Sequence, residues 1–190
     1  MKKLAIVLAI VMAPVMSFGQ SMFDKYEDME EVASIIVNSK MFQMLASMDV
    51  DMDDPEAQAY FDMVKKIENF KVMTTGDEAI SANMKADVNK YLKSSNLEEL
   101  MRIKDGDQNV KFYVREGKDD NHVKELLMFI TGLKEMTKDS NININGKNRE
   151  FETVVLSLTG DIDLRQVSKI TQQMDIKGGK HLDKIGDKKN

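Results

Sequence analysis

Asp49, Asp51 and Asp53, in the stretch "DVDMDDPEAQAY", place carboxylates at every second position, as a calcium-binding loop does at its start. Carboxylate oxygens at that spacing can converge on one hard cation. The remainder of such a loop needs glycine at position six, for a sharp turn, and a bidentate glutamate at position twelve. Here those positions hold Asp54 and Tyr60, and Pro55 stands at position seven. The stretch therefore reads as a solvated acidic loop leading into a helix, with Asp54 as cap and Pro55 at the first helical position. Weak calcium binding, in the millimolar range of extracellular modules, is the most these residues offer.

Methionine is the second candidate ligand. Met41, Met44, Met48 and Met52 recur at i, i+3, i+7 and i+11, one face of a helix long enough to carry them. Thioether clusters hold Cu(I) in oxidising compartments. Methionine also fills irregular gaps in ordinary cores. Only two histidines, His122 and His181, could join a copper site. The stripe thus reads first as packing, and no metal ligand is assigned.

Catalytic constellations are nearly absent. With no cysteine there is no thiol nucleophile, and a Ser-His-acid triad would have to use His122 or His181, neither near a GxSxG turn. No Gly-rich phosphate loop is present, so no nucleotide cofactor is expected. Asp161 and Asp163 could serve as an acid–base pair, but Asp163 is placed to cap a helix. The expectation is a protein that is not an enzyme and carries no cofactor.

One row of side chains suits recognition better than chemistry. In "NVKFYVRE" the side chains alternate, putting Lys111, Tyr113 and Arg115 on one face and Val110, Phe112 and Val114 on the other. If helices cover the apolar face, an aromatic between two cations is left exposed on an acidic protein. Such a row would dock an acidic partner.

The N-terminus reads as an address. Lys2 and Lys3 precede the apolar run Leu4 to Val15, about twelve residues and short of the roughly 20 that span a membrane. Ser17 and Gly19 suit cleavage before Gln20. Residues 1–19 are expected to be a signal peptide, the chain exported to the periplasm or secreted, with no stable membrane insertion once cleaved. Of the 27 Lys and Arg residues, Lys2 and Lys3 leave with the signal, so 25 remain against 32 acids, a formal charge of −7. That balance repels phosphate backbones and excludes nucleic acid as a partner. Lacking disulfides, an exported chain must rely on its packed core, and this length suits a single domain.

Positioning these residues falls to a mixed set of elements. Residues 20–31 are polar and acidic, a short lead-in to a domain over 32–175. "VASIIVN" (Val32 to Asn38) is β-branched and predicts a strand, followed by a helix from Ser39 to Met48 with Ser39 as N-cap. Ala57, Tyr60, Phe61, Val64 and Ile67 form one helical stripe after Pro55. A strand over 69–75 and a helix from Asp77 to Lys93, with Ile80, Met84, Val88 and Tyr91 or Leu92 inward, complete the first half. The second half holds four strands, "LEELMRIKD", "NVKFYVRE", "HVKELLMFITG" and "FETVVLSLTG", with "DGDQ" and Asn145-Gly146 as turns. "ELLMFI" is apolar throughout and belongs in mid-sheet. After Asp163 a final helix presents Leu164, Val167, Ile170 and Met174, and residues 176–190 are expected to be a disordered tail. Helices early and strands late predict the α+β class: one twisted, mainly antiparallel sheet with helices on one face.

From Phe23 to Met174 the chain resembles the exported domain-of-unknown-function 4252 family of Bacteroidetes. The resemblance rests on "VASIIVNSKMFQML", "ELLMFITG" and "LTGDIDLRQVSKI", the last with a glycine and an aspartate before the final helix. It supplies no catalytic residue. Members are often encoded beside extracytoplasmic-function sigma factors, which implies envelope signalling. Many carry a lipoprotein cysteine that this chain lacks. The function expected is an exported, non-enzymatic binding or interaction domain with a protein or envelope component as partner, the alternative being an envelope metal-binding protein using the methionine face or the aspartate loop.

Overall fold

The computed structural model describes residues 23–47, 55–138, 143–144, 147–148 and 150–167. The signal segment, the aspartates Asp49 to Asp54 with Met48 and Met52, the Asn145-Gly146 turn and the tail from residue 176 all lie outside the described residues.

Strand β1 (Val32–Asn38) runs into helix α1 (Ser39–Ala46), and α2 (Pro55–Val64) leads into β2 (Ile67–Thr75). Helix α3 (Glu78–Ser94) precedes β3 (Glu98–Asp105), β4 (Gln108–Glu116) and β5 (His122–Thr131). A short α4 (Lys134–Thr137) and the two-residue pair β6 (Asn143–Ile144) and β7 (Lys147–Asn148) lead to the long β8 (Thr153–Asp163). Six strands form one sheet in the order β1-β2-β8-β5-β4-β3, with every neighbour antiparallel. The class is α+β, and "ELLMFI" lies inside the sheet, between β8 and β4.

Local chemistry fixes the boundaries. Asn38, and not Ser39, caps α1: its Oδ1 accepts from the backbone N–H groups of Lys40 and Met41. Asp77 caps α3 through the N–H of Ile80. Ile67, which the apolar stripe would place on α2, is instead the first residue of β2. Gly106 (φ 56°) makes the two-residue turn between Asp105 and Gln108. Strand β8 runs three residues beyond the expected "TG" because Ile162 and Asp163 still pair with Val123 and His122.

Helix α3 crosses one face of the sheet, about 25 Å of helix joining β2 to the far edge strand β3. Its Met84, Val88 and Tyr91 pack on Met73, Leu127, Phe129, Val155 and Tyr113. The lead-in contributes here: Phe23 and Tyr26 are buried in the same cluster, and Phe23 meets the edge of the Tyr91 ring at 6.3 Å. Tyr26 donates to the Asp87 carboxylate, and Lys71 bonds Asp24 and Glu27 at 2.7 Å, clamping residues 23–31 to α3 and β2.

This arrangement reverses one expectation. The register sets Lys111, Tyr113 and Arg115 opposite Phe129, Leu127 and Glu125, on the face that α3 covers. Val110, Phe112 and Val114 point to the other face. The apolar-in rule failed because β5 is apolar on both sides: Leu127 and Phe129 attract a helix as strongly as Leu126, Met128 and Ile130 do.

Candidate binding cleft at the bulged end of the sheet

The row Lys111, Tyr113, Arg115 divides into three different environments. Tyr113 is 8 % exposed and belongs to the core. Lys111 is half-buried toward the β3 edge, across from Arg102. Arg115 alone reaches a cleft, of about 590 Å3, that opens at the end of the sheet beside the last turn of α3.

Irregular backbone builds this cleft. Register shifts occur at Ile67/Asn69 in β2, at Arg115/Glu116 in β4 and at Val123/Glu125 in β5, and all of them border it. Bulges of this kind bend a strand and re-aim its side chains. Gly160 has φ of 144°, and a Cβ there would lie 2.2 Å from the carbonyl oxygen of Lys66, so only glycine lets β8 pass. At Gly117 a Cβ would meet the His122 carbonyl oxygen at 2.4 Å, where the Gly117 N–H donates to that same oxygen.

On the floor sits Glu125, 5 % exposed, at the inward position where alternation along β5 would place an apolar residue. Tyr91 Oη donates to both its carboxylate oxygens at 2.8 Å, and Arg115 Nη2 donates to Oε2 at 2.6 Å and to Tyr91 Oη at 2.9 Å. Burial pushes the Glu125 carboxyl above the usual range, against the pull of Tyr91 and Arg115. Burial, then the neighbouring carboxylate, raises the Tyr91 hydroxyl as well. The Nε of Arg115 is shielded from solvent and meets no acceptor.

The rim is charged and wetter. Lys118 bonds Asp161 at 2.7 Å, a contact that holds the Asp161 carboxyl below its ordinary range. Lys124 and Glu68 are exposed beside them. The suggested acid–base pair of Asp161 and Asp163 is thus separated into two ion pairs, since Asp163 bonds Arg165 at 2.7 Å and is lowered by it. Asp163 also accepts from the Arg165 backbone N–H, in keeping with a capping role. His122 faces Asp119 at 2.7 Å, with no described serine bonded to it. Among the described residues, no group of three His, Cys, Asp or Glu side chains is placed to hold a metal ion. No helix among them is long and apolar enough to cross a membrane.

Sequence reading missed Glu125 and the cleft itself, and took Tyr91 only as an inward residue of its helix. One signal was present: an acid on the inward register of "HVKELLMFI", beside Leu127 and Phe129, must find a buried partner. Its partners lie 34 and 10 residues away, which spacing cannot reveal.

The molecule is an α+β protein built on a single antiparallel sheet, with its polar cleft where the strands bulge. Residues 26–170 match the family described as a domain of unknown function (DUF4252), and the chain belongs to that family. No curated protein and no solved structure matches it.

Proposed function

We propose that the protein is an exported, non-enzymatic binding domain of the bacterial envelope that takes an acidic segment of a protein or envelope component at the cleft around Arg115. Envelope signalling is the setting that the family resemblance suggests. The supporting observation is the distribution of charge in the cleft. Of its three acids, Glu125 and Asp161 are already engaged by Tyr91, Arg115 and Lys118, and Glu68 is exposed on the rim. Donor capacity remains on exposed Lys124, while the unpaired Nε of Arg115 lies behind it, shielded from solvent. A carboxylate entering the cleft finds a charge-assisted donor at Lys124, on a rim it shares with Glu68.

The test is capture of a partner from envelope extracts by the mature domain, followed by the Lys118→Ala/Lys124→Ala double variant. Both lysines are on the rim, so stability should move by no more than about 0.5 kcal/mol. Affinity should fall about tenfold, the effect of losing about 1.4 kcal/mol of charged contacts. Equal binding by both proteins would place recognition elsewhere.

Cu(I) binding, the second reading, has one observation in its favour. Met41 and Met44 are exposed on α1 and line one shallow depression with Asn38 and Gln43. Titration with Cu(I) decides it: affinity that survives Met41→Leu/Met44→Leu removes this reading.

A further inference from the structure

The two edges of the sheet are built differently. At one edge β3 carries Glu98, Glu99, Arg102, Lys104 and Asp105, and its register shifts between Glu99 and Met101. Charged side chains and bulges of this kind keep a bare strand from pairing with another chain. At the other edge β1, "VASIIVN", is uncharged throughout, with neither a proline nor a register shift. Its strand neighbour, β2, lies on one side only among the described residues. Ile35 and Ile36 point to opposite faces of the sheet and are 58 % and 44 % exposed, so neither face is covered there by described residues. Such an edge offers its outward backbone donors and acceptors to an incoming strand.

We propose that a second copy of the chain takes this edge, the two β1 strands pairing antiparallel about a two-fold axis at Ile35. Centring on the middle residue uses the whole strand, setting Ile35 against itself, Ser34 against Ile36 and Ala33 against Val37. No charge lies within the strand pair. At its ends this alignment brings exposed Glu31, just before β1, alongside exposed Lys40 of the second copy, just after it. A parallel alignment would set like charges together. The antiparallel contact closes at two copies, whereas β1 on β3 would be head-to-tail and open-ended, and the β3 charges oppose it. Seven strand residues a side is well short of the roughly 20–30 of a standard interface, so the dimer is weak. A dissociation constant on the order of 10⁻⁴ M leaves the dilute protein monomeric, with Ile35 exposed.

Sedimentation equilibrium of the purified protein should show a monomer at about 5 µM and a dimer growing in toward about 1 mM, with nothing larger. Ile35→Lys brings two ammonium groups together at the axis and should weaken the dimer about tenfold or more. Charge reversal tests the alignment without touching the strand. Glu31→Lys and Lys40→Glu should each weaken the dimer about threefold, and the double variant should restore it. The chain has no cysteine, so Ile35→Cys reports the contact directly. Under mild oxidation it should form a disulfide-linked dimer several-fold faster than Lys104→Cys on β3. A monomer at every concentration, or species larger than a dimer, overturns the proposal. So does a dimer that neither Ile35→Lys nor the charge reversals weaken, and so does equal crosslinking at the two positions.

Discussion

On the α3 face of the sheet, charges stand in pairs around the core, whereas on the opposite face the central stretches of β2, β8, β5 and β4 have no charge to pair. Arg115 with Glu125, Lys71 with Asp24 and Glu27, and Arg102 with Glu99 surround an apolar middle of Met73, Leu127, Phe129 and Val155. The other face offers Phe70, Val72, Leu156, Leu158, Met128 and Phe112 in continuous register, all partly exposed. By hydropathy alone the second face is the better core. The helix goes to the first because α3 also brings polar partners: Tyr91 for Glu125, Ser81 for Thr153 at 2.5 Å, and Asp87 for Tyr26 and Lys25. Buried polar groups on strands need donors and acceptors opposite them, and an unsatisfied one costs more than a half-exposed methyl group.

The largest expected effect tests which face is core. Leu127 has no exposed surface, and Leu127→Ala should cost about 2–5 kcal/mol in urea denaturation, the range for truncating a buried leucine. Tyr113→Ala should also be costly, about 3 kcal/mol or more. Lys111→Ser, two residues away on the same strand, should stay within about 0.5 kcal/mol. Near-neutral Tyr113→Ala would restore the exposed row and undo the assignment of faces.

Next in size is the charge pair. Glu125→Ala leaves Arg115 without its carboxylate. Truncating one member of a fully buried pair costs about 3–5 kcal/mol. The Arg115 side chain is 34 % exposed, so solvent relieves part of that and about 2–3 kcal/mol is expected. Glu125→Leu combined with Arg115→Met should regain much of the loss, because an apolar pair of similar volume needs no mutual compensation. If the double variant is as unstable as Glu125→Ala, Tyr91 and the cleft backbone depend on the ions themselves.

The sequence disclosed the elements far better than their facing. "VASIIVN" is a strand over the expected residues and Asp77 caps the expected helix, because β-branching and a carboxylate cap act within a few residues of themselves. The order of the strands and the covered face depend on β8, which inserts between β2 and β5 from the far end of the chain. No local pattern encodes that pairing. Phe23 and Tyr26 were hidden for a related reason: two aromatics among acids look like a lead-in until Asp87 and Tyr91, more than sixty residues on, are placed beside them. Of the cleft, Arg115 was legible as a docking residue and Asp161 as a carboxylate, but not Glu125 or the bulges that bring them together.

A smaller effect distinguishes the charges by pH. The Glu125 carboxyl is raised by burial, so the folded protein holds its proton more tightly than the unfolded chain does. Its contribution is fully present below the unfolded value, near 4.5, and is lost as pH rises through the raised folded value. Asp163, lowered by its bond from Arg165, behaves oppositely: its contribution is present above about 3.8 and is lost as pH falls below that. Wild type should therefore lose stability relative to Glu125→Gln as pH increases from about 4.5, and relative to Asp163→Asn as pH decreases below about 3.8. Denaturant midpoints measured across pH 3 to 7 (a range set by those two values) check both slopes, and a difference from Glu125→Gln that is flat in pH would mean that Arg115 cancels the burial.

The smallest effect belongs to the apolar face at its outer edge. Ile35, on edge strand β1, points to that face opposite Val72 and is 58 % exposed, the farthest part of the face from Leu164. Removing its exposed methyl groups gives up little burial, and threonine keeps the β-branched shape that an extended backbone favours. Ile35→Thr should thus change stability by no more than about 0.5 kcal/mol while reducing the binding of a hydrophobic dye. A cost above about 1 kcal/mol, too large for an exposed side chain, would show that β1 is covered in solution, and a concentration-dependent midpoint would identify the cover as a second copy.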